Sequence, residues 1–146
     1  MKLVIQRVLE SKVLVNQKIV AQISRGLLVL VGFTANDTVN QVDYLVRKLL
    51  ALRIFEDDAG KMNLSVNDIH GEILVVSQFT LYADTQKGNR PSFIQAAKPE
   101  IAIPLYESFI QKLKQSSDLV IQNGIFGADM KVHLINDGPV TIIMEN

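Results

Sequence analysis

Residues 27–33 read Leu-Leu-Val-Leu-Val-Gly-Phe, and the fold prediction starts from this apolar run. Its side chains are apolar at odd and even positions alike, so both faces of the extended segment avoid water. Strands with two apolar faces lie inside sheets that are covered on both sides. The run therefore predicts a central strand with other elements packed on each face.

The segments on the N-terminal side of this run alternate between apolar and polar residues. A period of two is typical of strands with one buried face. Breaks at residues 16–18 and 24–26 separate these segments and predict an antiparallel meander. The apolar positions of the predicted strands are Leu3, Ile5, Val13, Val15, Ile19, Ala21 and Ile23.

On the C-terminal side the period changes to that of a helix. Asp37 or Thr38 can cap a first helix. A second helix is predicted over residues 101–114, and Pro104 requires it either to start nearby or to bend. Five residues form the apolar face of the first helix, Val42, Leu45, Val46, Leu49 and Leu50.

Further strand-like runs complete the chain. They cover residues 53–56, 72–81, 119–122, 131–136 and 140–144, and residues 57–60 predict a turn. Two helices inserted between runs of strands indicate an α+β fold. With no linker-like stretch, residues 1–146 are predicted to form a single domain.

Composition excludes several classes of protein. The chain has 15 basic and 15 acidic residues, no cysteine and two histidines, so a thiolate metal site and a His-rich metal centre are not expected. Zero net charge argues against binding nucleic acid through bulk charge. The sequence has neither a membrane-spanning run nor the apolar core of a signal peptide, so a cytoplasmic protein is expected.

Three polar segments stand out from the apolar background. Ser77-Gln78-Phe79-Thr80 directly follows residues 73–76, so its polar groups either find partners in the core or face a pocket. Asn136-Asp137-Gly138-Pro139-Val140-Thr141 predicts a hairpin turn, or a rigid unit that presents backbone atoms to a ligand. The loop at residues 87–93 either binds phosphates or is solvated. We expect no catalytic or metal role for His70, His133 or the Asp57-Asp58 pair.

These segments together resemble the D-aminoacyl-tRNA deacylases, proofreading esterases once described as D-tyrosyl-tRNA deacylases. The family signatures Ser-Gln-Phe-Thr and Asn-x-Gly-Pro-Val-Thr stand at residues 77–80 and 136–141. Blocks at residues 26–32, 52–63, 87–93 and 126–130 also look like family blocks. The sequence departs from the family pattern at Pro104, and at Asn123, where threonine is expected. The resemblance implies a mainly antiparallel or mixed, barrel-like sheet with two main helices, in a homodimer.

The resemblance also implies a reaction. The chain would hydrolyse the ester that joins a D-amino acid, or glycine mischarged on tRNA-Ala, to the terminal ribose of tRNA. Thr80 matches the threonine of the catalytic motif, and backbone N–H groups of Gln78, Phe79 and Thr80 would stabilise the oxyanion. Either Thr80 attacks, or water attacks with help from the ribose hydroxyl. We favour water, because no histidine or lysine is placed to activate the threonine.

Specificity follows from the same resemblance. Ser77, Phe79 and Met130 would line the amino-acid pocket, while Gly138-Pro139, in cis, would reach into the neighbouring subunit's site and exclude L-amino acids. A shared site makes a homodimer obligatory.

The expected partner is the acceptor end of aminoacyl-tRNA, with its phosphates met by Lys87 and Arg90. We expect no DNA, membrane or cofactor. Two alternatives stay open: a dimeric RNA- or metabolite-binding module, and an esterase for small esters.

Overall fold

A central strand at the apolar run is present in the computed structural model, which describes residues 1–146. The chain contains eight strands, two α-helices and one short 3-10 helix. In chain order these are β1 (Lys2–Val15), β2 (Lys18–Ile23), β3 (Gly26–Gly32), α1 (Val39–Leu50), β4 (Phe55–Glu56), β5 (Met62–Leu64), β6 (Glu72–Ser77), the 3-10 helix (Phe79–Tyr82), α2 (Pro99–Ser116), β7 (Ile121–Asn123) and β8 (Lys131–Glu145).

Six of the strands form one mixed sheet. Its order is β2-β1-β3-β6-β7, and β8 also pairs with β1. The β3–β6 and β6–β7 pairs are parallel, and the remaining pairs are antiparallel. The sheet curls until β2 contacts β6 and β7, which gives a nearly closed, barrel-like shape. The predicted α+β fold with two main helices is confirmed.

The predicted meander is wrong in its strand order. β1 is one long strand that changes partner along its length, because its first half pairs with β3 and its second half with β2. The polar breaks at residues 16–18 and 24–26 are correctly placed, but β2 and β3 do not pair with each other.

Side chains of the central strands divide between two apolar clusters. Leu27, Val29 and Val31 of β3 belong to the larger cluster, which includes the buried faces of α1 and α2. Leu28 belongs to a smaller cluster inside the curled sheet, with Leu74 of β6. The central strand is thus covered on both faces, as predicted.

The helices follow their sequence signals with one exception. Thr38 caps α1, since its Oγ1 accepts a hydrogen bond from the Asn40 N–H at 3.3 Å, and all five predicted apolar residues of α1 are buried. α2 begins at Pro99, where a proline is compatible with the first helical turn, and it continues through Pro104 to Ser116. Of the two alternatives predicted for Pro104, a helix start near it is therefore wrong, because α2 runs through this residue. Pro104 lies on the exposed side of α2, where the carbonyl group left without a partner can bind water.

No helix is long and apolar enough to cross a membrane.

Candidate active site

The strand that carries the first signature ends earlier than the sequence predicts. β6 stops at Ser77, and residues 79–82 form the 3-10 helix. The Gln78 N–H still donates to the Val31 carbonyl at 2.7 Å, but its own carbonyl accepts from the Leu81 N–H at 3.3 Å. Phe79 and Thr80 therefore do not alternate across a strand, and the predicted strand over residues 72–81 is wrong beyond Ser77.

Gly32 allows the 3-10 helix to lie against the end of β3. A Cβ atom at this position would stand 2.9 Å from the Gln78 carbonyl oxygen and 3.2 Å from Leu81 Cβ. Both contacts are closer than ordinary van der Waals separations, so a side chain at residue 32 would displace the turn.

A cavity of about 240 Å³ opens where the parallel strands β3 and β6 end. Its wall includes residues from β3, from the end of β6, from the start of α2 and from the segment 126–130. Four predicted site residues line it, Ser77, Gln78, Phe79 and Met130. Five others do not, namely Thr80, Lys87, Arg90, Gly138 and Pro139.

Thr80 does not line the cavity, and its hydroxyl contacts Gln78. Its Oγ1 accepts a hydrogen bond from Gln78 Nε2 at 2.5 Å, and the residue is half-buried. An amide is not a base, so the group beside the hydroxyl cannot take its proton. Neither His70 nor His133 lines the cavity.

The backbone N–H groups of the first signature are not equivalent. The Gln78 N–H already donates to the Val31 carbonyl, so it is not free to donate to an oxyanion in this structure. Phe79 and Thr80 are the first residues of the 3-10 helix, where N–H groups have no preceding acceptor in the helix. These two N–H groups remain as candidate donors.

Buried hydrogen bonds join β6 to α2 and to the residues that follow β7. The Gly124 N–H donates to the Val75 carbonyl at 2.9 Å, and the buried Tyr106 hydroxyl donates to the same carbonyl at 3.1 Å. Burial raises the pKa of Tyr106, which keeps its hydroxyl neutral. Asn123, the departure from the family pattern, donates through Nδ2 to the Gly124 carbonyl at 3.0 Å. Asn123, like the expected threonine, is therefore a polar residue, and here its side chain binds the neighbouring carbonyl.

The loop that carries the two predicted tRNA contacts reaches the cavity through an aromatic pair. Lys87 and Arg90 are exposed. The Phe93 ring meets the Phe79 ring edge to face, with centroids 5.1 Å apart. The two basic residues thus belong to a segment that ends at the cavity mouth.

The second signature does not form the predicted hairpin. Residues 131–145 make one strand, β8, and both halves pair with β1. Thr141 pairs with Gln6 and Asn136 with Val8, so the residues between them form a bulge. The Val140 N–H donates to Asn136 Oδ1 at 3.0 Å and closes the bulge. Asp-Gly predicted a turn, but one long partner strand keeps the chain direction unchanged.

Arg7 binds Asp137 of this bulge, and the sequence analysis did not identify Arg7 as a site residue. Arg7 is only 5% exposed. Its Nε donates to the Asp137 carbonyl at 3.1 Å and lies 3.2 Å from the Asp137 carboxylate. Its Nη1 donates to the Ile54 carbonyl at 2.7 Å. The signal was a charged residue at a buried position of an alternating strand, after Leu3 and Ile5.

Gly138 and Pro139 lie apart from the cavity of their own chain. Both are exposed, and the peptide bond between them is cis, as the resemblance implied. The bulge lies opposite Arg7, which pairs with Leu27 on its other side, whereas the cavity begins at Val31. Four residues along a strand span about 13 Å. One chain therefore does not bring the two signatures together.

No group of three or more His, Cys, Asp and Glu side chains is placed to hold a metal ion.

Comparison with known proteins gives concordant matches over the whole chain. Residues 4–145 match the family model described as D-Tyr-tRNA(Tyr) deacylase. A D-aminoacyl-tRNA deacylase of Flavobacterium psychrophilum is 60% identical, and the alignment covers 100% of this chain and 97% of that protein. A protein of the same name from Fusobacterium nucleatum is 57% identical over 99% of this chain and 95% of its own length.

Two solved structures are also similar. One, titled c-Myc DNA Unwinding Element Binding Protein, is 45% identical with a TM-score of 0.95, and the match covers 100% of this chain and 99% of the other. A probable eukaryotic D-amino acid tRNA deacylase is 21% identical with a TM-score of 0.85, covering 98% and 97% of the two chains. The second likeness supports the fold alone.

Proposed function

The chain belongs to the D-Tyr-tRNA(Tyr) deacylase family, and from this we propose that it hydrolyses the ester of D-aminoacyl-tRNA in the cavity beyond β6. The observation that carries the proposal is the cavity itself, whose wall contains three residues of the first signature. Because aminoacyl-tRNAs are used in the cytoplasm, we assign the reaction to that compartment.

The reaction needs a nucleophile and donors for the developing charge. Water adds to the ester carbonyl carbon, the carbonyl oxygen takes up negative charge, and the ribose oxygen then leaves with a proton. The N–H groups of Phe79 and Thr80 supply the donors, since both lie at the start of the 3-10 helix. Met130 and Ser77 line the space for the amino acid.

Thr80 has an orienting role in this proposal. Its hydroxyl is held by the Gln78 amide, and no base lies beside it. The attacking water is assisted by the free hydroxyl of the terminal ribose. The test compares substrates whose terminal ribose carries or lacks that hydroxyl. Loss of activity with the deoxy substrate supports the proposal, and an acyl-threonine intermediate detected by mass spectrometry would contradict it.

Chiral selection is assigned to Gly138 and Pro139 of a second copy of the chain. Their exposure and their distance from the cavity of their own chain support a site shared between two subunits. Backbone and ring atoms placed at the α-carbon exclude an L side chain without reading its identity. Glycine has no side chain to exclude, so glycyl-tRNA is accepted as well.

Two measurements test the shared site. The exposed Pro139 ring is removed in Pro139→Ala, which should increase hydrolysis of L-aminoacyl-tRNA while D-aminoacyl-tRNA is still cleaved. Sedimentation at the assay concentration should show a dimer. A fully active monomer, or an unchanged ratio of D to L rates, is incompatible with selection across subunits.

One assay separates the proposal from its competitors. Wild-type protein is incubated with D- and L-aminoacyl-tRNA and with small D-amino-acid esters. A deacylase cleaves only the D-aminoacyl-tRNA rapidly, a general esterase also cleaves the small esters, and a binding module cleaves nothing. Because one structural relative carries a DNA-binding title, duplex DNA is included as a competitor, and no inhibition is expected.

A further inference from the structure

Three exposed apolar side chains extend outward from the cavity: Phe79 lines it, Phe93 packs against Phe79, and Ile94 follows Phe93 in the chain. Phe79 is 57% exposed, Phe93 is 37% exposed and Ile94 is 93% exposed. We call these three residues the mouth patch. Phe79 and Phe93 meet edge to face at 5.1 Å, so the two rings support each other while both stay exposed. Contiguous exposed apolar groups of this kind mark binding surfaces.

The backbone under the mouth patch is fixed to the cavity wall. The Ala96 N–H donates to the Phe93 carbonyl at 3.0 Å, and the Ala97 N–H donates to the Phe33 carbonyl at 2.8 Å. Phe33 and Ala97 both line the cavity. Before the patch, the Ser92 N–H donates to the Asp84 carbonyl at 2.9 Å. The patch therefore has a set position relative to the cavity.

The segment that carries the patch is positively charged. Residues 85–99 contain Lys87, Arg90 and Lys98 and no acidic residue, in a chain whose net charge is zero. None of the three basic side chains forms an ion pair, since the five ion pairs of the structure involve other residues. Free cations therefore accompany the exposed rings.

We propose that the mouth patch stacks the unpaired nucleotides that precede the aminoacylated nucleotide of tRNA. This inference rests on the proposed function, because it requires the ester to occupy the adjacent cavity. Exposed aromatic rings beside basic side chains are the usual means of binding single-stranded RNA without reading its sequence. The nucleotide next to the reacting one necessarily leaves the cavity through its mouth, where the patch lies.

The test uses Phe93 and Ile94, which do not line the cavity. Phe93→Ala and Phe93→Leu both remove the aromatic face, and Phe93→Tyr retains it. For D-aminoacyl-tRNA, the Ala and Leu variants should raise KM, lowering kcat/KM roughly ten-fold, the scale of one lost base stack, while the Tyr variant stays at the wild-type value. For D-aminoacyl-adenosine, which lacks the preceding nucleotides, all variants should equal wild type.

Two further variants control for fold and exposure. Ile94→Ala removes a side chain that is almost fully exposed, so it cannot unfold the chain, and it should also raise KM for the tRNA substrate. Tyr44→Ala removes an aromatic residue on α1 that is 39% exposed, close to the value for Phe93. The Tyr44 variant should have the wild-type kcat/KM for both substrates.

Several outcomes would overturn the inference. If Phe93→Leu matches wild type, no stacking takes place. If Phe93→Ala loses activity equally on both substrates, Phe93 acts through Phe79 and not through RNA. Binding of a fluorescent single-stranded RNA ending in CCA supplies an independent readout, and Phe93→Ala should weaken it. If wild type cleaves neither ester but this binding difference persists, the proposed function fails and the stacking surface stands.

Discussion

Replacing Arg7 with methionine tests whether a buried cation holds the bulge of Gly138 and Pro139. The variant keeps the apolar stem and removes every donor. Loss of the buried Nη1 bond leaves the Ile54 carbonyl unpaired, at a cost of about 1–3 kcal/mol. The Asp137 carboxylate is 29% exposed, so its partly screened pair adds about 0.5–1 kcal/mol. We therefore expect the free energy of unfolding to fall by about 1.5–4 kcal/mol.

Urea unfolding at one fixed protein concentration measures this change, because association of subunits would otherwise shift the midpoint. Asp137→Asn is the matched control. It removes the charge of the pair but leaves the Asp137 carbonyl bonded to Arg7, so less than about 1 kcal/mol should be lost. Under the proposed function, the methionine variant should also hydrolyse L-aminoacyl-tRNA faster relative to D than wild type does.

The reasoning is refuted if the methionine variant is within about 0.5 kcal/mol of wild type, since surface substitutions alone give changes of that size. It is equally refuted if the asparagine variant is the more destabilised of the two. In that case the ion pair, and not the carbonyl contacts, would hold the bulge.

Three other outcomes are expected. Gly32→Ala should lower kcat by displacing Gln78, whose carbonyl oxygen would stand 2.9 Å from the new Cβ, and a wild-type kcat would show that the turn tolerates it. Tyr106 is neutral in the fold with its pKa raised, so its contribution to stability is complete below about pH 10 and is lost as the pH rises further. Tyr106→Phe should therefore lose about 1 kcal/mol at pH 7 and show a smaller alkaline decline in urea unfolding than wild type. The slope of log kcat/KM against log salt concentration should be shallow, about −1 to −3, and removal of Lys87 or Arg90 should reduce it by about 1 each; a steep slope would show that many more phosphates are held.

Periodicity predicted those parts of the fold in which burial alone sets the pattern. The apolar run at residues 27–33 correctly indicated a strand covered on both faces. The spacing from Val42 to Leu50 likewise predicted the buried face of α1. In these segments local preference and tertiary packing favour the same structure, so the local sequence is sufficient to predict it.

The errors occur where a distant partner overrides a local signal. Residues 78–81 have strand-like composition, but Gly32 leaves room for the 3-10 helix at that point. Asp137-Gly138 is a turn signal, yet one strand, β1, pairs with both flanking segments and keeps the chain extended through a bulge. Neither partner is adjacent in sequence, so no window of residues contains the deciding contact.

In the candidate site, too, residues with a local sequence signal were predicted, and a residue that depends on a distant contact was not. Three of the predicted residues that line the cavity, Ser77, Gln78 and Phe79, are neighbours in the chain and belong to the first signature, whereas Met130 was predicted from the separate block at residues 126–130. Arg7 was not identified, since its role depends on Asp137, which is 130 positions away. A charged residue at a buried strand position is the one local sign of such a contact, because a buried charge requires a partner.

The zero net charge argued against nucleic acid as a partner. The distribution of charge restricts this objection to extensive binding, because it leaves one segment positively charged. Three basic residues lie in residues 85–99, between Asp84 and Glu100 and beside the cavity mouth. The segment itself contains no acidic residue. A protein that acts on the end of an RNA needs attraction only at that end, and uniform positive charge would hold the RNA body as well. Overall neutrality with a local positive segment therefore favours short-lived contact with the acceptor end, which suits an enzyme that must release tRNA after each turnover.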